Sequence, residues 1–116
     1  MAQFMLLLHS SPEFLAGLSP EEMQAVIEKY RSWRDQVAGS QKLLGGAKLR
    51  DEGGKILRRQ SERVLVTDGP FSETKEIIGG YFLVEASDYE EAATLASGCP
   101  HLTYGGRIEL REVEPT

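Results

Sequence analysis

The pattern of hydrophobic and polar residues predicts two different kinds of strand at the two ends of the chain. Residues 4 to 8 are all apolar, which is typical of a central strand that is covered on both faces. Period-two geometry then divides this strand into two faces, with Phe4, Leu6 and Leu8 on one and Met5, Leu7 and His9 on the other. Residues 107 to 113 instead alternate charged and apolar side chains, which indicates a half-buried last strand.

Between Ser19 and Gly39 the apolar residues recur at helical spacing. Ser19 and Glu22 form a capping-box pattern, and Pro20 suits the first helical position. The apolar residues that follow recur at the period of one helix face, and the helix should end near Gly39. A second helix begins after residue 86. Its capping pair is either Ser87 with Glu90 or Asp88 with Glu91, and Gly98 closes it.

The middle of the chain reads as a series of strands. Residues 42 to 50 predict a strand with a bulge or a close backbone approach at Gly45-Gly46, and residues 51 to 54 predict a hairpin turn. Short strands are expected at 55 to 59 and 63 to 67, and an aromatic and β-branched strand at 81 to 86. The order strand, helix, two or three strands, helix, strand predicts one α+β domain over residues 1 to 116. Its ferredoxin-like antiparallel sheet would carry both helices on one face.

Composition narrows the classes of function. The formal charge of −5 argues against nucleic-acid binding, because the only local basic excess, Arg58, Arg59 and Arg63, reads as a solvated hairpin tip. Cys99 is the only cysteine, which excludes an intrachain disulfide and suits a reducing cytoplasm. The apolar start is too short for a signal peptide or a membrane span. We therefore expect a cytoplasmic protein that binds neither nucleic acid nor membrane.

The sheet face opposite the helices has a mixed character. Its predicted members, besides Met5, Leu7 and His9, are Tyr81, Leu83, Glu85, Arg107, Glu109 and Arg111. Leaving its leucines in water forgoes about 1.5–3 kcal/mol for each one that could be buried. A second subunit covers this open sheet face, or it lines a pocket, or both. We predict a homodimer formed through it.

The segment from Asp68 to Glu76, closed by Gly79-Gly80-Tyr81, is the most specific stretch of the chain. Pro70 fixes its own φ angle and keeps Gly69 out of the helical region, so the chain must turn abruptly. Two interpretations stay open. Asp68 braces a loop that Phe71 anchors at a subunit seam, or the turn directs Asp68, Glu73 and Lys75 into a pocket.

Three other residues, two histidines and one cysteine, are candidate reactive groups. His101 precedes the last strand and could act as an acid or base, but an exposed or backbone-bonded loop histidine is the alternative. His9, on an apolar strand, is more typical of a core or interface residue. Cys99 has no adjacent base except His101 and reads as inert. With only two histidines and one cysteine, the sequence predicts no metal site. The glycine pairs of the chain lack the spacing of a phosphate-binding loop, so no cofactor is expected.

The motifs together resemble the DGPF branch of the YCII-related proteins. The resemblance rests on residues 64 to 76 and 79 to 85, with support from residues 4 to 8, 18 to 22, 99 to 101 and 105 to 111. It implies a dimeric domain of the dimeric α/β-barrel type, in a mostly bacterial group related to small enzymes and monooxygenases. Some members are similar to domains linked to extracytoplasmic-function sigma factors. In the wider family a His–Asp pair is the proposed active site, with the histidine in the first helical region. This chain has no histidine between Ser10 and Pro100, so the pair does not carry over to it.

Two hypotheses of function follow from the sequence. In the first, a pocket between the open sheet face and the Asp68 loop binds a small organic, possibly anionic, molecule, with Arg111 or Lys75 as the positive charge. Asp68 and His101 would carry cofactor-free proton transfer, and Phe71, Glu73 and Tyr81 would contact the ligand. In the second, the protein is a non-catalytic accessory or regulatory protein, with a link to those sigma factors.

Overall fold

The structure is a computed structural model that describes residues 1–69 and 76–115. It consists of β1 (Ala2–Ser10), α1 (Pro20–Gly39), β2 (Leu43–Lys48), β3 (Lys55–Gln60), β4 (Arg63–Asp68), β5 (Ile77–Ala86), α2 (Tyr89–Ser97), α3 (Pro100–Thr103) and β6 (Arg107–Glu112). The helices of the described residues include none that is long and apolar enough to cross a membrane.

The main sheet has the strand order β2-β5-β1-β6, and each neighbouring pair is antiparallel. The apolar strand β1 lies in the centre, as its continuous hydrophobic run predicts. Leu6 lies opposite Phe82 of β5 on one side and Leu110 of β6 on the other. This order, with helices after the first and third strands of the sheet, confirms the predicted ferredoxin-like α+β fold.

The hydrophobic core lies on one face of this sheet, under both long helices. Phe4, Leu6 and Val84 are fully buried there. Trp33 of α1 meets the ring of Phe82 edge to face at 4.9 Å. The same core also takes Val37 from α1 and two alanines from α2, Ala92 and Ala96, whose small side chains suit a helix packed closely on a sheet. Both helices therefore cover the face that the alternation of β1 predicts.

The helix starts follow their capping patterns. The Ser19 hydroxyl accepts a hydrogen bond from the Glu22 amide at 3.1 Å, and the Glu22 carboxylate accepts one from the Ser19 amide at 3.0 Å. This reciprocal pair satisfies two amides that the helix leaves unbonded. For α2 the structure selects one of the two alternatives, since the Asp88 carboxylate accepts from the Glu91 amide at 2.9 Å.

The glycine pair of β2 combines the two features predicted for it. The register with β5 shifts between Leu43 and Gly45, which is the bulge. A Cβ atom on Gly46 would lie 2.8 Å from both the Phe82 ring and the Tyr81 carbonyl oxygen, which is the close backbone approach. Gly46 is therefore required by its neighbour strand, whereas Gly45 has open space around it.

The hairpin turn predicted at residues 51 to 54 is wrong. β2 pairs with β5 in the main sheet, whereas β3 pairs with β4 in a separate two-stranded sheet, so residues 51 to 54 connect two sheets. The true hairpin turn lies at Ser61 and Glu62, between β3 and β4. A glycine pair permits a sharp change of direction, here with a φ angle of 68° at Gly54, but the partner of a strand is decided by contacts distant in sequence.

Candidate functional site

The open sheet face carries the mixed set of residues that the alternation predicts. Leu7 of β1 lies between Tyr81 and Glu109, and Met5 lies between Leu83 and Arg111. These apolar side chains are only half-buried although they occupy the two central strands. The face therefore offers apolar surface with charged groups along its β6 side.

A histidine–carboxylate pair lies at one end of this face. His9 Nε2 lies 2.9 Å from Glu109 Oε1, and the two side chains are 14% and 35% exposed. A carboxylate accepts hydrogen bonds, so Nε2 carries the proton that it donates to Glu109. The second ring nitrogen, Nδ1, has no hydrogen-bond partner among the described residues. Glu109 therefore holds the His9 ring through Nε2, and Nδ1 stays available to a ligand.

Charged neighbours keep the carboxylates around His9 ionised. The hydrogen bond from His9 lowers the pKa of Glu109, and Arg111, whose Nη1 lies 3.4 Å from Oε2, lowers it further. On the adjacent segment, Arg107 donates from Nε and Nη2 to one oxygen of Glu76 at 3.0 and 2.9 Å, which lowers the pKa of that carboxyl group.

A surface cleft of about 560 Å³ opens beside His9. The pairing of β1 with β5 shifts after Leu8, so that His9 lies opposite Ile78 at the end of the sheet. The cleft lies between this end and the base of the β3–β4 hairpin. It is lined by His9, Leu49, Arg50, Glu52, Gly53, Gly54, Ile56, Glu76, Ile77 and Ile78. Four of these ten residues are aliphatic, four are ionisable and two are glycines, so the cleft combines apolar wall surface with polar groups, as small-molecule sites do.

Among the described lining residues Arg50 is the one cationic side chain, and the carboxylates of Glu52 and Glu76 line the same cleft. Arg50 makes no ion pair within residues 1–69 and 76–115, whereas Arg107, near the cleft residue Glu76, is paired with it. An anionic group bound in the cleft would therefore find its counter-charge at Arg50.

His101 lies on the opposite side of β1 from this cleft, in the short helix α3. It is 3% exposed, which corrects the expectation of a loop residue, because Pro100 starts a helical turn that carries the ring inward. Its Nε2–H donates to the His9 carbonyl oxygen at 2.8 Å, and its Nδ1 accepts from the Tyr30 hydroxyl at 3.0 Å. Burial lowers the pKa of His101 and raises that of the Tyr30 hydroxyl, so both groups stay neutral in this arrangement.

The two predicted catalytic residues have separate surroundings. Asp68 ends β4 with a highly exposed side chain that pairs with Lys55, whereas both ring nitrogens of His101 are engaged inside the fold. Within the described residues the two do not contact each other. Their joint catalytic role stays a prediction with no geometric support.

The other predicted site residues divide into two groups. Tyr81 and Arg111 lie on the open sheet face, as expected, with Arg111 next to Glu109. Phe71, Glu73 and Lys75 lie outside the described residues, as does Pro70.

Cys99 belongs to the buried hydrophobic core. Cys99 is 1% exposed, and burial raises the pKa of its thiol, which disfavours the thiolate needed for nucleophilic attack. No group of three or more histidine, cysteine, aspartate or glutamate side chains in residues 1–69 and 76–115 has a metal-binding arrangement.

Sequence reasoning placed His9 and Glu109 on one face but did not join them as a pair. The alternation of β1 and of β6 gives the shared face, whereas the contact depends on a register that brings together residues 100 positions apart. The signal available in the sequence was the presence of one histidine and one carboxylate on the same predicted face.

Comparison with known families agrees with this fold. The family model described as YCII-related domain matches residues 2–116. The chain is therefore a member of the YCII-related family, with the match covering essentially its whole length. A comparison with curated proteins found no significant match.

Proposed function

We propose that the protein binds a small organic anion in the cleft beside His9 and that His9 exchanges a proton with it. The observation that carries this proposal is the 2.9 Å contact of His9 Nε2 with Glu109 at a cleft that His9 itself lines. A half-buried histidine held by a carboxylate is an arrangement suited to acid–base chemistry.

The proposed chemistry needs no cofactor. Nδ1 of His9 accepts a proton from a weakly acidic C–H or O–H group of the anionic ligand, which leaves an imidazolium and a ligand with one further negative charge. Glu109 stabilises the imidazolium through its hydrogen bond to Nε2–H, and the same proton then returns to the ligand at the same or another atom. Arg50 would hold the anionic group, and the aliphatic walls of the cleft would exclude water from the reacting atoms.

Benzoate and benzamide test the ligand class, because they share shape and differ in charge. We expect benzoate to shift the amide NMR signals of cleft residues such as Ile77 and Ile78 at lower concentration than benzamide. Arg50→Gln should weaken benzoate binding by about 10-fold, a loss of roughly 1.4 kcal/mol, and leave benzamide unchanged. Arg34→Gln, at an exposed arginine of α1, is the matched control. Equal binding of the two probes would contradict the anion preference.

Pyruvate tests the proton transfer. Its methyl protons exchange with D2O when a base removes them, and the loss of the 1H NMR signal gives the rate. We expect His9→Gln to lower the protein-dependent rate by roughly 100-fold, because glutamine retains a donor for Glu109 but no basic nitrogen. Glu109→Gln should also lower it, whereas Glu112→Gln, further along β6, should not. Equal rates for the wild type and His9→Gln would remove the acid–base role.

Dimerisation through the open sheet face is proposed as part of the same function. The half-buried state of Leu7 and Leu83 on the central strands supports it, because a second subunit would remove their remaining apolar surface from water. We expect sedimentation equilibrium to give a dimer for the wild-type protein and a weaker dimer for Leu83→Asp. A wild-type monomer at micromolar concentration would contradict it.

The accessory or regulatory role, with its link to extracytoplasmic-function sigma factors, stays the alternative prediction. That role predicts that benzoate does not shift the NMR signals of the cleft and that His9→Gln does not change the rate of solvent exchange. The benzoate and pyruvate experiments therefore distinguish the two hypotheses.

A further inference from the structure

The β3–β4 hairpin presents an unusually apolar outer face. Leu57 pairs with Val66 across the two strands and Arg59 pairs with Val64, so these side chains share one face of the hairpin. Leu57, Val64 and Val66 are 63%, 50% and 54% exposed. We call this set of four residues the outer hairpin face. The other face, with Ile56, turns towards the cleft.

This exposure is unexpected for a hairpin that stands apart from the main sheet. β3 and β4 pair only with each other among the described strands. An isolated two-stranded sheet is marginally stable in water and needs further strands or a covering element. The molecule is also extended, with a radius of gyration of 16.2 Å and dimensions of 48 × 44 × 18 Å. A compact chain of this length would have a radius of gyration of about 13 Å.

The charge distribution indicates what covers the outer hairpin face. Residues 55 to 68 contain four basic residues, Lys55, Arg58, Arg59 and Arg63, and two acidic ones, Glu62 and Asp68, for a net charge of +2. Since the whole chain carries −5, the remaining residues carry −7. The hairpin is therefore a basic apolar arm on an acidic body, and a second copy of the chain supplies the complementary acidic surface.

We propose that the β3–β4 hairpin of one protomer packs, by its outer face, against the acidic body of a second copy. The contact buries Leu57, Val64 and Val66, and Arg59, the arginine of that face, meets a carboxylate of the partner. A twofold arrangement makes this exchange reciprocal, so that each protomer both donates and accepts an arm. The contact is additional to the open sheet face and independent of the proposed ligand.

Photo-crosslinking of the full-length protein locates the arm directly. Leu57 is replaced by p-benzoylphenylalanine, and 15N-labelled protein is mixed and equilibrated with unlabelled protein before irradiation. We expect crosslinked dimers whose mass-mapped peptides join the two isotopic forms. The same amino acid at Ile27, an apolar residue of α1 that is 42% exposed, should give none. Crosslinks from Leu57 that are absent, or that join only residues of one chain, would overturn the proposal.

Two substitutions test how much the hairpin contact contributes to the stability of the dimer, which sedimentation equilibrium measures. Val64→Asp places a charge on the outer hairpin face, and Arg59→Glu reverses a charge there without removing apolar surface. We expect each to raise the dimer dissociation constant by at least about 10-fold. Ile27→Asp should leave it unchanged. If Val64→Asp disturbs the fold of the hairpin, Arg59→Glu still tests the contact.

The outcomes separate this contact from the one proposed at the open sheet face. An unchanged dissociation constant for both hairpin variants, with a large increase for Leu83→Asp, would overturn the arm contact and retain the other interface. Loss of affinity in the hairpin variants together with intermolecular Leu57 crosslinks would establish the arm. A wild-type monomer would overturn both.

Discussion

At the scale of single residues, His101 acts as a support for His9 in the structure. Its ring joins the Tyr30 hydroxyl of α1 to the His9 carbonyl oxygen of β1, at the strand position where the bulge begins. A Cβ atom on Gly106 would overlap this ring, so the glycine makes room for it. His101 is thus a positioning residue for the strand that carries the candidate acid–base group.

The Tyr30 hydroxyl should contribute measurably to stability. Tyr30→Phe removes the donor to His101 Nδ1 and leaves a buried nitrogen unsatisfied, so we expect a loss of about 1–2 kcal/mol in the free energy of unfolding. Urea denaturation measures this loss. Tyr104→Phe is the matched control, since the Tyr104 hydroxyl makes no hydrogen bond within the described residues and the ring that contacts Lys29 is retained. Equal stability of the two variants would contradict the network.

His101 should also make the stability depend on pH. Burial lowers its folded-state pKa below the ordinary 6.5, so below that pH the unfolded chain binds more protons than the folded one. Stability is therefore expected to fall as the pH drops from 6.5 towards the folded-state pKa. His101→Gln should reduce this pH dependence in urea denaturation between pH 7.5 and 5.5. The same slope for both proteins would show that His101 does not cause it.

The two histidines also show which features of the candidate site the sequence alone does not predict. From the sequence alone His101 is favoured over His9, because a loop before a strand resembles a functional position. The turn at Pro100 buries His101, and the register of β1 with β6 gives His9 its carboxylate partner. Burial and register both depend on contacts far apart in sequence, whereas the alternation that placed His9 on the open face is local.

At the scale of elements, local chemistry predicted most of the secondary structure. The capping box at Ser19 starts α1 where expected, and the apolar run of β1 forms the central strand. The failure at residues 51 to 54 has a physical cause, since a turn signal specifies a bend and leaves the pairing of its flanking strands open. The bulge and the close approach at Gly45-Gly46 were predicted as alternatives, and β2 contains both.

The two glycines of β2 offer a paired test. Gly46→Ala would place a methyl group 2.8 Å from the Tyr81 carbonyl oxygen, a backbone atom that can move only with the sheet. We expect a loss of about 1–3 kcal/mol in the free energy of unfolding. Gly45→Ala meets no atom within 4 Å and should change stability little. Chemical denaturation of both variants measures the difference, and equal effects would contradict the close approach.

At the scale of the whole molecule, folding and association should be linked. The open sheet face and the outer hairpin face are both proposed to be covered by a second copy, so the native state is the dimer and the unfolded state is the monomer. Mass action then makes the Tm rise with protein concentration. For a chain of this size, a hundredfold increase in concentration should raise the Tm by about 5 °C.

Differential scanning calorimetry over that range of concentration measures this linkage. A variant with both Leu83→Asp and Val64→Asp should have a lower Tm that no longer changes with concentration, because neither face can then hold a second copy. The exposed Ile27→Asp variant should keep the concentration dependence of the wild type. A wild-type Tm that is constant across the range would mean that one chain is the folding unit, and that the apolar surface of the hairpin and sheet is stable in water alone.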